Sequence, residues 1–587
     1  MKRPILLLIV AFCGFALLSG CATKSVRPTK VLEEYPVRFA ILGDRTGNHQ
    51  PGVFGQVVAE VQRMRPDFVL TVGDMVEGYT ADTVKIKQEW EEYLKLIEPL
   101  TSPIFHTAGN HDFLDTTALS FYRRYIGKPY YSFTRSGLHF IILDNGRYNT
   151  VADFPTGQID WLIDDLEMHK DASRTFVFFH IPYWIETIAQ DKPDTLHSIF
   201  VKYGVDAVFT GHYHVYFSGS FDGIVYTGVG SSGGGCSPGP TGLQYHFMWV
   251  TVDEKGVSIA PIKMDAVLPW SELSANEYLL TRKAEYQAIR TENAQVKDDL
   301  TVPKKTVTIT VENFNTDMAL KDTLSWDVPA GWTVNPAQLV VEAEPLTKYS
   351  TNLTVKSTGN LYPTPKASMS YPFAKGKNLR IEHTLGVYRT AYAYETTRPP
   401  VIDGKLGDAL WKRPVTKLFA PDGSSIATTD PVSFYFAWDK DNLYIAAMCA
   451  EKKTDAIVAT AADHDGAVYG EDCVGYFFQP VLEDGPIYQI YFNPLGTPFD
   501  QKILVKDKTA VGVEREWNGT YEVKTYRGAG HWSIEVKIPV DQLGAEARRG
   551  KIWGINFRRK QKRLDTSADW LVPIGYDPER YGFLMMK

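Results

Sequence analysis

The run Pro103–Asp112, PIFHTAGNHD, decides the reading of this chain. It begins as a short apolar strand and stops on Gly109-Asn110-His111-Asp112, three of which carry ligand or proton-transfer chemistry. A core strand has no need of such an ending. The same shape recurs on both sides: VRFAILGD ends at Asp44, DFVLTVGD at Asp74 and LHFIILD at Asp144, TFVFFHIP carries His180, and DAVFTGHYH closes on His212 and His214. Nearly continuous apolar runs separated by amphipathic stretches predict buried strands alternating with helices and loops. Polar residues at so many strand ends predict one site assembled from them.

Carboxylate oxygens, an amide oxygen and several imidazoles suit Fe, Mn or Zn, and one carboxylate can bridge two ions. The ordered set GD, GD, GNHD, H and GHYH resembles the calcineurin-like metallophosphoesterase superfamily over residues 36–262. That resemblance implies two packed mixed sheets flanked by helices, with two divalent or trivalent ions at their strand ends. Asp74 would bridge both ions. Asp44 and His214 would hold the first, and Asn110, His180 and His212 the second. A hydroxide held between the ions would attack phosphorus in line, while His111, oriented by Asp112, would protonate the leaving oxygen. Arg45, beside the first ligand, and Arg147, after the LDNG strand end, are candidate phosphate contacts, because a guanidinium matches phosphate oxygens bidentately.

One position departs from the family. Its usual opening is Asp-x-His, and here Asp44-Arg45-Thr46 puts a hydroxyl where an imidazole is expected. Related purple acid phosphatases also lack that histidine and use a tyrosine three residues after the bridging aspartate. Glu77 occupies that offset in this chain, and His49, five residues after Asp44, is its rival as the replacement ligand. The glycine-rich GVGSSGGGCSPGP at 228–240 serves turns near the cleft, since no Gly-x-Gly-x-x-Gly helix entry follows.

Beyond this domain (36–265) the pattern changes. Residues 266–300 read as a helical connector, in which SANE offers a capping box from Ser274 to Glu277. Residues 301–395 alternate as strands between Pro, Gly and Asn turns, the pattern of an Ig-like β-sandwich spacer. A double proline opens 396–587, a second and larger sandwich, whose IDGKLGDALWK, DKDNLYIAA, HWSIEVKIP and WGINFRR resemble the family 9 carbohydrate-binding modules. That likeness implies polysaccharide as a partner. Trp438, Trp517, Trp532, Trp553 and Trp570 are the aromatic candidates for a sugar contact, although alternation puts most of them in the core.

The 587 residues carry 62 Lys and Arg against 69 Asp and Glu, with no long basic run, which argues against nucleic acid as a partner. Lys2 and Arg3 precede an apolar run from Ile5 to Leu18 and then Leu18-Ser19-Gly20-Cys21. Residues 1–20 therefore read as a bacterial lipoprotein signal, Cys21 as the lipidated residue and 21–35 as a tether. The expected place is the bacterial cell envelope, outside the cytoplasm, lipid-anchored to the outer membrane. Of the remaining cysteines, Cys449 and Cys473 lie in one sandwich, and both a bridge and two buried free thiols are open. The function expected of the whole is a two-metal phosphomonoesterase or phosphodiesterase docked on glycan; the alternative is a catalytically weak or inactive glycan-binding lipoprotein.

Overall fold

The computed structural model describes residues 36–80, 82–113, 115–263, 266–359, 361–423, 429–506 and 508–587. The expected lipoprotein signal, Cys21 and the expected tether lie outside the described residues. The chain divides into two compact units, residues 1–279 and 280–587.

The first unit contains two six-stranded mixed sheets. One is built on β1 (Val37–Leu42), β2 (Phe68–Thr71) and β3 (Ile104–Phe105), which run parallel. The other is built on β4 (Tyr131–Arg135), β5 (Leu138–Ile142), β6 (Arg174–Phe178), β7 (Ala207–Thr210), β8 (Phe217–Phe221) and β9 (Ile224–Gly228). Its order is β4-β5-β6-β7-β9-β8, with β5, β6, β7 and β9 parallel. β10 (His246–Asp253) pairs antiparallel with β1 and extends the first sheet through β11 (Gly256–Lys263) to β12 (Ala266–Val267).

Strand alternation explains the layering. Phe39 and Phe68 point into the space between the sheets, where Phe39 meets Phe140 and Phe176 of the other sheet at centroid distances of 5.5 and 5.7 Å. Their neighbours Ala40, Leu42 and Val69 face outward into a separate apolar cluster with the helices α1 (Val53–Met64), α2 (Thr83–Ile97) and α3 (Thr116–Tyr125). Burying each large side chain of this kind contributes about 1.5–3 kcal/mol. On the second sheet the helices are pinned by polar contacts. Asp165 of α4 (Thr156–Met168) lies 2.7 Å from His139 of β5, and His197, on the later helix Thr195–Tyr203, lies 2.8 Å from the Tyr226 hydroxyl of β9.

The second unit is almost entirely strand. Two four-stranded sheets pack on a shared apolar cluster as a sandwich, and a twelve-stranded sheet follows. Ile289–Thr291 pairs with Val302–Glu312, so the first sandwich begins inside the expected connector. Thr390–Glu395, expected to close the spacer, pairs with both Gly582–Met586 and Val432–Trp438 and so belongs to the last sheet. Between residues 266 and 300, helix is confined to Ala275–Gln287, capped by Ser274 and Glu277 as the SANE run implies. Trp438, Trp532, Trp553 and Trp570 are buried, and Trp517 packs half-buried against the core. Cys449 and Cys473 are both buried free thiols, and Cys236 is free and half-buried.

Candidate active site

Each expected ligand sits just beyond a strand: Asp44 after β1, Asp74 after β2, Asn110 after β3, His180 after β6, and His212 and His214 after β7. The two sheets bring these ends together. Asp74, His180 and His212 present ligand atoms within 4.8 Å of one another, and so do Asp44, Asp74 and His214. Asp74 belongs to both groups, as a bridging carboxylate must. Asn110 completes the first group, with its Oδ1 2.9 Å from His180 Nε2 and 2.8 Å from His212 Nδ1.

The backbone is strained where it delivers these groups. Asp74, His212 and His214 hold φ values of 62°, 75° and 55°, a left-handed conformation that costs a side-chain-bearing residue on the order of 1–3 kcal/mol. Two glycines give the room required. A Cβ at Gly211 would stand 2.4 Å from Asp44 Oδ1, and one at Gly47 would meet the His214 ring at 2.9 Å and His111 Nε2 at 3.8 Å.

Hydrogen bonds from the outer ring atoms set the tautomers. His180 Nδ1 lies 2.8 Å from the Val72 carbonyl and His214 Nδ1 lies 2.8 Å from the Gly235 carbonyl, so both rings donate there and turn Nε2 inward. Those inward atoms lie 3.2 Å from Asp74 Oδ2 and 3.1 Å from Asp44 Oδ2. Burial penalises charge on His180, yet the Asp74 carboxylate outweighs it and raises the imidazole to about 9. His214 is likewise raised to about 9, because Asp44 overrides burial. Burial also opposes the Asp74 carboxylate, but His180 prevails and holds it down at about 2. His212 falls to about 4 through burial and the neighbouring His180 charge.

The donor set fits a pair of cations. Asp44 Oδ1 is buried without a hydrogen-bond partner, a state that costs about 1–3 kcal/mol for a polar atom and more for a charged one. Carboxylate, amide and imidazole donors converge here from two sheets, and a bound ion would satisfy the orphaned oxygen.

Several expected roles are corrected. Asp112 does not touch the His111 ring: its carboxylate accepts from the backbone N–H groups of Asp74, Met75 and Gly109 at 2.9, 2.7 and 2.8 Å, fastening one ligand loop to the other. His111 is oriented by the Glu77 carbonyl, 2.6 Å from its Nδ1. Glu77 and His49 join neither ligand group and instead bond to each other at 2.6 Å. The Thr46 hydroxyl is spent on the backbone, donating to the Val76 carbonyl at 2.8 Å.

Arg45 is buried, bound to the Met75 carbonyl and the Glu92 carboxylate, and is not available to phosphate. Arg147 is tied to Asp144 at 2.9 Å and lies over the Phe113 ring. Residue types alone could not reveal the Glu77 carbonyl as a partner of His111. The Tyr79 hydroxyl, which accepts from Asn110 Nδ2 at 2.8 Å, was signalled only by a tyrosine closing GDMVEGY.

Comparison with known proteins agrees with this geometry. The calcineurin-like phosphoesterase model matches residues 37–216. Human serine/threonine-protein phosphatase CPPED1 is 27% identical over 214 residues, covering 32% of this chain and 67% of that one. Purple acid phosphatase 18 of Arabidopsis thaliana is 31% identical over 207 residues, covering 31% of this chain. This chain thus spans about two thirds of the human relative's length and 45% of the plant enzyme's.

Among solved structures, a dimetal phosphatase from Danio rerio aligns with 40% of this chain and 99% of its own, at 12% identity and a TM-score of 0.31. A family 9 carbohydrate-binding module from Caldicellulosiruptor kristjanssonii in complex with glucose aligns with 34% of this chain and 96% of its own, at 16% identity and a TM-score of 0.26. The strand ends that gather Asp44, Asp74, Asn110, His180, His212 and His214 all lie within the segment, residues 37–216, that matches the calcineurin-like phosphoesterase model.

Proposed function

We propose that the protein is a dinuclear metal-dependent phosphoric ester hydrolase. The observation that carries this reading is the pair of ligand groups sharing Asp74, with the orphaned Asp44 Oδ1 between the sheets and His111 beside them. Asp44, Asp74 and His214 would hold one ion, and Asp74, Asn110, His180 and His212 the other. Bound there, the ions supply Lewis-acid charge for the phosphoryl oxygens and lower the pKa of the attacking water.

The chain's own residues do the rest. His111 accepts its orientation at Nδ1 from the Glu77 carbonyl, which leaves Nε2 to hand a proton to the leaving oxygen as its bond to phosphorus breaks. Its backbone N–H donates to Asp74 Oδ1 at 2.8 Å, which fixes the acid relative to the shared ligand. Asp112 keeps the two loops in register through its backbone bonds.

The test is metal content and turnover of aryl phosphate mono- and diesters by the purified protein loaded with Mn, Fe or Zn, alongside Asp74→Asn. Two ions and turnover that Asp74→Asn abolishes are expected. A protein that takes up two ions and hydrolyses neither ester would sink the reading.

One observation favours the alternative of a weak or inactive relative: the Thr46 hydroxyl is spent on the backbone, and neither Glu77 nor His49 takes up the missing position. Metal count and turnover together decide between them: a site short of a ligand would load one ion where two are expected, and two ions without turnover would equally favour the inactive relative.

Envelope location and lipid anchoring at Cys21 belong to the same proposal. They rest on the Leu18–Cys21 signal and are tested by radiolabelled palmitate incorporation, lost in Cys21→Ala. Polysaccharide docking rests on the sequence likeness of 396–587. With Trp438, Trp532, Trp553 and Trp570 withdrawn into the core and Trp517 half-buried, contact with a sugar falls chiefly to exposed rings such as Tyr469 and Tyr526. Retention on insoluble polysaccharide, lost in Tyr469→Ala or Tyr526→Ala, is the measurement.

A further inference from the structure

Tyr79 stands at the rim of the site with 53% of its surface exposed, in a left-handed conformation with φ of 50°. An exposed tyrosine gains nothing from that backbone by itself. Two contacts offset the strain. The Tyr79 hydroxyl accepts a hydrogen bond from Asn110 Nδ2 at 2.8 Å, and its ring meets the His111 ring at 4.6 Å with an interplanar angle of 81°.

The first contact addresses an ambiguity inherent in any asparagine ligand. The oxygen and nitrogen of a carboxamide are nearly the same size, and only the oxygen can bind a cation. Asn110 Oδ1 faces His180 and His212, so Nδ2 must find an acceptor on the opposite side, and the Tyr79 hydroxyl is there. The second contact concerns the substrate. The group attached to the leaving oxygen must approach His111, and the exposed ring beside His111 is that of Tyr79.

We propose, resting on the phosphoesterase reading above, that Tyr79 is a positioning and specificity residue. Its hydroxyl locks the Asn110 amide with Oδ1 toward the second ion. Its ring walls the leaving-group subsite and favours esters whose alcohol carries an aromatic face over small alkyl esters.

Tyr79→Phe and Tyr79→Ala separate the two roles. Affinity for the second ion is measured by titration calorimetry on the metal-free protein, without substrate. The ratio of kcat/KM for 2-phenylethyl phosphate to that for propyl phosphate is measured at saturating metal. Loss of an outer partner of a ligand typically weakens metal binding about 10- to 100-fold. Tyr79→Phe is expected to show that loss, to regain wild-type kcat in excess metal, and to keep the substrate ratio.

Tyr79→Ala is expected to lose the metal affinity equally and to lower the ratio about 3- to 10-fold, carried by KM. Unchanged metal affinity in Tyr79→Phe overturns the positioning role, and an unchanged ratio in Tyr79→Ala overturns the specificity role. A wild-type protein that binds no second ion, or hydrolyses neither these monoesters nor aryl phosphate diesters, sinks the phosphoesterase reading and this inference with it. A wild-type protein that does both beside indifferent Tyr79 variants sinks this inference alone.

Discussion

His49 and Glu77, the two side chains best placed in sequence to replace the missing first-motif histidine, are bonded to each other, with Nδ1 of His49 2.6 Å from Glu77 Oε1. Glu77 also accepts from the Gly47 backbone N–H at 3.4 Å, so its carboxylate braces the loop after Asp44. Burial acts to raise the Glu77 carboxyl, but the His49 contact dominates and holds it low. Glu77→Ala and His49→Ala are therefore both expected to retain the full ion content of the wild type when counted by elemental analysis. Loss of one ion in Glu77→Ala would restore it as a ligand.

His111→Asn should keep both ions, because the metal groups do not include the His111 ring. It should lose about 10²- to 10⁴-fold in kcat on alkyl esters, which need a protonated leaving group, and less on activated aryl esters. Steady-state kinetics on a leaving-group series checks this. Equal losses across the series would remove the acid role.

Asp112→Asn probes the correction made to that residue. The buried carboxylate accepts four backbone N–H groups, those of Asp74, Met75, Val76 and Gly109, and an amide would turn a donor toward at least one of them. A buried donor facing a donor costs about 1–3 kcal/mol. The variant should unfold several degrees lower in thermal denaturation and bind both ions more weakly. If His111 kinetics shifted while stability and metal affinity did not, Asp112 would be an orienting residue after all.

The strand ends were legible because apolar runs closing on Asp, Asn or His have no packing reason to do so, and five such endings, carrying six ligand residues, converge at the two ligand groups. Side-chain direction in the loops was not legible. Arg45 and Thr46 lie one and two positions after Asp44 yet turn to Glu92 and Val76, partners far away in sequence. Adjacency in sequence pairs Asp112 with His111, whereas its true partners are backbone N–H groups, which leave no mark in residue type. Thr390–Glu395 was assigned to the spacer for a similar reason: its parallel partner Gly582–Met586 is about two hundred residues away, and no local pattern announces such pairing.

Metal uptake should release protons. His180 and His214 are raised to about 9 by Asp74 and Asp44 against the opposition of burial, so near neutral pH the metal-free site is protonated at positions the ions need. Apparent metal affinity is expected to rise with pH up to about 9. Calorimetry in two buffers of different ionisation enthalpy would read the released protons directly. The metal-free fold behaves oppositely. Both folded values lie above the ordinary 6.5, so their contribution to stability is complete below 6.5 and is lost as pH rises through about 9. Thermal melts of the metal-free protein that hold level across that range would contradict the assignment.

The hydrolase domain should work without the β-rich unit, provided the cut respects the strand pairing. Deleting residues 398–587 would strand Thr390–Glu395 without its neighbours Val432–Trp438 and Gly582–Met586. It would also expose part of a single apolar cluster that runs from Ala284 to Met586 through both sandwiches. Aggregation is the expected result. A cut after Gln287 keeps the helix Ala275–Gln287, whose Tyr278 stacks on Phe217 at 4.5 Å, and removes the two sandwiches as one body. The shortened protein should load both ions and turn over a small aryl ester within about threefold of the full chain, since the ligand groups and His111 all precede residue 217. Binding to insoluble polysaccharide should disappear with the removed unit. A shortened protein that stays folded and metal-loaded yet inactive would mean that residues beyond 287 complete the catalytic site.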